Sequence, residues 1–329
     1  DLCREALRIA KMEEPVDRHD LVTRAVSTPQ ISSIYTNAAA SVLLLEMEQY
    51  EDSTLGWTNE IDVPNFMETG LHRVEGGRLK KRNKGRKSDH STLAATMEVV
   101  RAAHFTDCLI LDVIDIVNDS IGALKAGMDA YALGISDLRP SLVYGMLAAN
   151  AALKTDGVAL FHADHNNLAT STALNAANLQ TVLNKMAGQK DASGTVLNLT
   201  SCYIVTGGYS FVADQLANSA EIREAAAANG TKNPFLKYGL STAADARLNV
   251  GFTDPNTDTP VAGAPTLWYL ASKGGRHGVC VAFVEGMGRM PKMSTKVLNS
   301  EGMYGLAIDV SHAIGAGVSG YQGVQKAVG

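Results

Sequence analysis

The residues best suited to chemistry crowd into one short stretch, DGVALFHADHNNLA, from Asp156 to Ala169. His162, Asp164 and His165 fall within four positions, and these residue types supply zinc ligands and general bases. Zinc takes three or four such ligands, and a catalytic site leaves one position for water. Ligands this near in sequence need a helix or strand to aim them and a distant ligand to close the set. The flanks offer neither, since Asp156–Gly157 reads as a turn and Asn166–Asn167 as a polar run. In such a place His, Asp and Asn side chains bond to backbone groups of a loop that has no ladder of its own. We therefore expect no metal and assign His162, Asp164, His165 and Asn166 as a structural loop motif.

Other catalytic patterns fail. HExxH, the P-loop, the GxSxG elbow and paired CxxC are all missing from the sequence, and each is a spacing that its chemistry requires. The GMG at Gly286–Gly288 lacks the third glycine and the helix of a dinucleotide site. No cofactor or metal is expected. The strongest charge bias is RLKKRNKGRK, with Arg78, Lys80, Lys81, Arg82, Lys84, Arg86 and Lys87. Such a run is either a solvated loop or a contact for phosphate or an acidic partner.

These residues need elements to hold them. Strand-prone stretches on both sides of the basic run, within Trp57–Phe105, predict a long hairpin with the charges at its tip. CLILDVIDIV, Cys108–Val117, reads as a buried or edge strand. Asn118–Asp119–Ser120 supplies a helix start. Leu124, Met128, Tyr131, Ile135, Leu138, Leu142 and Met146 then recur at helical spacing, predicting a helix to about Asn150. At 1.5 Å per residue it would run ~45 Å, with Pro140 expected to kink it. Asn175–Met186 predicts an amphipathic helix ended by Gly188, and Ser210–Asn229 a second ended by Gly230. TVLNLTSCYIV, TLWYLASK, GVCVAFVEG and MYGLAIDVSHAIGAG are expected strands, and DPNTDTPVAGAP a loop. The class is α+β. A helical patch at Ala38–Met47 sits in an N-terminal stretch with little from which to build a core.

Composition narrows the function. The chain has 329 residues, 46% hydrophobic and 19% charged, with net charge -5; a mildly acidic globular protein is not a nucleic-acid coat as a whole. Cys3, Cys108, Cys202 and Cys280 are far apart and predict reduced thiols in a cytoplasmic setting rather than a disulfide framework. No apolar run approaches the ~18 residues of a membrane helix, and no signal peptide is visible, so no membrane partner is expected.

The order of the pieces carries a resemblance. LVYGMLAANAALKTDGVALFHADHNNL is similar to the "lvy-LL-N-DG-LF-H-N" run of tailed-bacteriophage major capsid proteins. It is nearest to the Mu-like major head subunit group and the related protease–capsid fusion proteins. VPNFMETGLHRVEGGRLKK, HFTDCLILDVIDIVNDSIGAL, LNVGFTDP with PTLWYLASK, and VAFVEGMGRMPKM resemble further family segments in the same order. The tail HAIGAGVSGYQGVQK is similar to "dfG…d-RG-k", with Gln322 where Arg is usual.

The resemblance implies the capsid fold of phage Hong Kong ninety-seven. Its parts would be an N-terminal arm (1–55), an extended loop (56–110), a peripheral domain with a long spine helix (111–155 and 266–329), and an axial domain (156–265). It implies a shell subunit without catalytic residues, forming hexamers and pentamers around double-stranded DNA that it does not read by sequence. Portal, scaffold, maturation protease and decoration proteins are the implied partners, and the host cytoplasm is the implied place of assembly. A protease trims the N-terminus in that family, with which a chain starting at Asp1 is consistent. Length supports assembly: hairpin arms of about 15 residues reach ~50 Å, against a radius of gyration of ~20 Å for a compact chain of this size. Such a hairpin must lie on a neighbour. Its basic tip is expected to meet acidic residues there, with Glu13, Glu14, Glu46, Glu48, Glu51 and Asp52 as candidates. The rival readings are an encapsulin-like compartment and a metal-dependent hydrolase using His162, Asp164 and His165.

Overall fold

The computed structural model describes Leu45 and residues 50–75, 81, 84, 94–112, 121–191, 194–222, 230–275, 277–300 and 303–329. In chain order the first elements are β1 (Asn59–Val63), β2 (Thr69–Glu75), β3 (Ala94–Val100), β4 (Ala103–Asp112), α1 (Ile121–Ala149), β5 (Leu168–Thr170), α2 (Ala176–Ala187) and β6 (Cys202–Thr206). Next come α3 (Ser210–Asn218), β7 (Glu221–Ile222), β8 (Thr231–Lys232), a 3-10 helix (Pro234–Tyr238), β9 (Ser241–Ala244) and α4 (Arg247–Val250). The last are β10 (Gly251–Asp254), β11 (Thr259–Ala262), β12 (Leu267–Ser272), β13 (Val279–Val284), β14 (Lys292–Ser300), β15 (Met303–Val318) and β16 (Val324–Val328). The mixture is α+β. Two compact units emerge, one from Ala103–Leu138 and Val284–Ile314, the other from Ser53–Ala102, Arg139–Phe283 and Gly315–Gly329.

The second unit is built on a five-stranded sheet of order β5-β16-β12-β6-β9. The centre of this sheet is antiparallel (β16-β12-β6) and its outer pairs are parallel. β12 sits in the middle and is buried from Trp268 to Ser272, which explains its unbroken apolar run: a strand covered on both faces needs no polar alternation. Trp268 and Leu270 join Ile204, Ala327, the α2 residues Leu179, Val182, Leu183 and Met186, and the α3 residues Ala213 and Leu216 in one core. The Trp268 indole N–H donates to the Thr172 carbonyl at 2.8 Å, so that donor is satisfied; a buried Trp is worth about 3–5 kcal/mol against Ala.

α2 follows its sequence closely. Asn175 caps it by accepting the Asn178 N–H, its buried residues are Leu179, Val182, Leu183 and Met186, and Gly188 closes it in a right-handed conformation. α3 is shorter than expected and stops at Asn218. The cause is distant in sequence: Asn233 donates its side-chain amide to the Leu216 and Ser219 carbonyls, removing the last turn's need for a further one. Residues 223–229 of the expected helix lie outside the described residues. The expected loop DPNTDTPVAGAP is also corrected: β10 and β11 form a hairpin with Asp254 paired to Thr259 and Gly251 to Ala262. The expected strand Thr195–Val205 begins only at Cys202.

α1 runs unbroken through Pro140, and Pro140 itself is buried. Within the second unit it is buried almost all round, from Pro140 to Gly145 and again at Leu147, rather than along the single stripe its spacing suggested. Its expected cap, Asn118–Ser120, lies outside the described residues. In the first unit, β4 and β14 flank β15 as antiparallel partners up to Ile314. Cys108 is exposed and Ile110 is 53% exposed, which suits the edge alternative of the two readings of this strand. After Gly315 the strand belongs to the second unit. A Cβ at Gly315 would sit 2.2 Å from the Arg101 carbonyl oxygen and one at Gly317 2.6 Å from Val100 Cγ2, so only glycine lets residues 100–101 lie against it.

Candidate functional site

The loop that follows α1 is folded by its own polar residues. Asn150, at φ 46°, turns the chain out of the helix. Its side chain then brackets Phe161, accepting the Phe161 N–H at 2.7 Å and donating to the Phe161 carbonyl at 3.3 Å. Between them Leu153 N–H donates to Val158 O at 2.8 Å and Gly157 N–H to Leu153 O at 2.9 Å. The narrow loop that results buries Leu153, Leu160 and Phe161 and sets the Phe161 ring 5.6 Å from that of Tyr269.

His165 is 6% exposed. Its Nδ1 lies 3.1 Å from the Leu160 carbonyl oxygen and its Nε2 2.9 Å from Asp156 Oδ2. The ring stacks flat on Tyr321, with centroids 4.0 Å apart and planes 2° from parallel, a contact worth about 0.5–1.5 kcal/mol beyond its area. Burial tends to raise the Asp156 carboxyl, but hydrogen bonds from the Val158 N–H and from His165 outweigh it and hold the group below its ordinary value. His162 and Asp164 are exposed, the His162 ring lying edge-on to that of His165 with centroids 6.5 Å apart; the His162–Asp164 contact at 3.3 Å is a surface pair of small worth. Asn166 adopts φ 51° and its carbonyl accepts Gln325 Nε2 at 3.2 Å. Asn167 is fully buried, accepting the His162 N–H at 3.0 Å and donating to Leu160 O at 2.7 Å.

The structure therefore does not bring His162, Asp164 and His165 onto one point. Among the described residues, no group of three His, Cys, Asp or Glu side chains could hold a metal ion. Burial pushes the Cys202 and Cys280 thiols up to about 12, so neither is a ready thiolate nucleophile. Gly286 and Gly288 both take positive φ in a turn after β13.

Part of the predicted hairpin is described: β2 and β3 pair antiparallel from Thr69 opposite Val100 to Glu75 opposite Ala94, a shorter ladder than the arms of about 15 residues expected. Of its basic tip, Lys81 and Lys84 are described and exposed; Arg78, Lys80, Arg82, Arg86 and Lys87 lie outside the described residues. The base of the hairpin is held by groups the sequence did not single out. Glu98, 5% exposed, accepts the Lys154 N–H at 2.9 Å, the Thr155 N–H at 3.0 Å and the Thr155 hydroxyl at 2.6 Å. Arg73 donates to Gln322 Oε1 at 3.0 Å. Gln322, the departure noted in the tail, thus supplies an acceptor where an arginine could only donate. Asp156 had a turn signal in Asp-Gly, but Glu98, Gln322 and Tyr321 had none, because their partners are remote in the chain.

The sequence matches the family described as phage capsid protein over residues 109–327. The fold is similar to that of the mature capsid of bacteriophage PhiM1, with TM-score 0.54 and 14% identity, covering 85% of this chain and 87% of that one. It is similar also to Mycobacterium phage Patience, with TM-score 0.52 and 10% identity over 90% of this chain and 87% of that one. A third likeness is to the capsid of a native GTA particle, with TM-score 0.51 and 10% identity over 85% and 90%. At these identities the likeness is one of fold. No curated protein matches the sequence.

Proposed function

The chain belongs to the phage capsid protein family, a family of structural shell proteins rather than enzymes, and from that premise we propose how it works as a major capsid subunit. It self-assembles into the icosahedral shell of a tailed bacteriophage, in hexamers and pentamers, around double-stranded DNA held without sequence-specific contacts. The observation that carries this reading is the family match over residues 109–327, through α1, the central sheet and the closing strands.

Within the shell, the hairpin lies over a neighbouring subunit. Arg78, Lys80, Lys81, Arg82, Lys84, Arg86 and Lys87 meet acidic side chains there. His162, Asp164, His165 and Asn166 are loop-forming residues, a role supported by the hydrogen bonds above. α1 is the spine helix. Assembly takes place in the host cytoplasm, with a portal, a scaffold, a maturation protease and decoration proteins as partners. An encapsulin-like compartment is not favoured, since the family matched is one of phage capsid proteins. Size-exclusion chromatography with light scattering tests the reading: capsomers or closed particles are expected, and a stable monomer at high concentration would sink it.

A further inference from the structure

Around the base of the β2–β3 hairpin, contacts from three separate parts of the second unit close into a ring. Glu98 lies opposite Leu71 and Arg73 opposite Thr96, and residues two apart on a strand share a face with their cross-strand partners. Glu98 and Arg73 therefore project from the same face of the hairpin, one from each strand. Glu98 is gripped by the N–H groups of Lys154 and Thr155. Arg73 is gripped by Gln322. The two receiving segments are themselves joined: Asp156, next to Thr155, binds His165 Nε2 at 2.9 Å, and the His165 ring stacks on Tyr321, next to Gln322.

A hairpin attached only through its two chain ends would swing about the line joining them. Side anchors on both strands remove that freedom only if the anchors keep a fixed separation. We propose that His165 fixes it: the ring formed by Glu98, Thr155, Asp156, His165, Tyr321, Gln322 and Arg73 is a clamp that sets the direction in which the hairpin leaves the second unit. His165 is a positioning residue for an element it does not touch. The burial of Glu98 and His165, 5% and 6% exposed, makes the contacts costly to break, because an opened clamp would strand polar groups away from water. The clamp is a property of the subunit, and only its consequence for shell formation rests on the capsid reading.

Hydrogen exchange on the full chain, at matched oligomeric state, tests the clamp without requiring assembly. His165→Ala is expected to speed exchange of the β2 and β3 amides about tenfold or more, by local opening, while the β6 and β12 amides keep their rates. Gln322→Ala, at the far side of the ring, should speed the same strands. The double variant should add less than the product of the two, since both act through one structure. Should His165→Ala fail to fold, Gln322→Ala gives the same reading from outside the loop. Unchanged hairpin exchange in the variants that fold would overturn the proposal. So would a uniform acceleration that includes β6 and β12, because that is what a merely structural role in the core predicts.

Discussion

At the residue scale, the account rests on where His165 and Asp156 spend their polar atoms. Both ring nitrogens of His165 face protein oxygens, one from Leu160 and one from Asp156, which leaves none turned to a ligand. Chelators should therefore leave the melting temperature unchanged, and elemental analysis should find no stoichiometric metal. One metal per chain, lost with His165→Ala, would reverse the assignment. Asp156 gives a pH-dependent prediction. Its folded carboxyl lies below the ordinary 3.8, so its charge contributes stability that is fully present above 3.8 and lost as pH falls through the lower folded value. Asp156→Asn should cost about 1 kcal/mol at neutral pH, as expected for a partly exposed charged hydrogen bond. In chemical denaturation the gap from wild type should close in strong acid; a gap constant down to low pH would show that charge is not what matters.

At the scale of elements, legibility followed the range of the deciding interactions. α2 was readable because its cap, its apolar spacing and its closing glycine are all local. The end of α3 was not, because Asn233 decides it from beyond the helix. β16 escaped notice: VQKAV carries Gln325 and Lys326, yet it is a sheet interior strand because β5 and β12 flank it. The Pro, Asp and Gly content of β10–β11 reads as a loop, and β14 has no local strand signal, since pairing with β15 is what makes KMSTKVLNS a strand. The loop is legible as a loop, but its remote partners Tyr321 and Glu98 are not, since nothing local marks a stacking surface or a carboxylate that caps another segment. The hairpin carries its own prediction. Like charges at the tip repel by up to ~1 kcal/mol per close pair in water and less in salt, which acidic residues on a neighbour would relieve. Reversing Lys80, Lys81 and Arg82 to Glu should impair assembly at low salt while circular dichroism shows a folded subunit, and added salt should narrow the difference. Normal assembly of that variant at low salt would make the tip a solvated loop.

At the scale of the whole molecule, the chain is a family of surfaces for other copies of itself rather than a container for one active centre. Its second unit uses polar residues to fold a loop and hold a hairpin, and its core is a five-stranded sheet with the last strand of the chain inside it. Heterologous contacts between identical subunits generate closed rings when the rotation closes, and a shell is the product expected of a phage capsid protein. Electron microscopy of the purified full-length chain addresses this directly. The account predicts closed shells, or rings of hexamers and pentamers, made of this chain alone or after addition of its assembly partners. Monodisperse monomers under every such condition would contradict it.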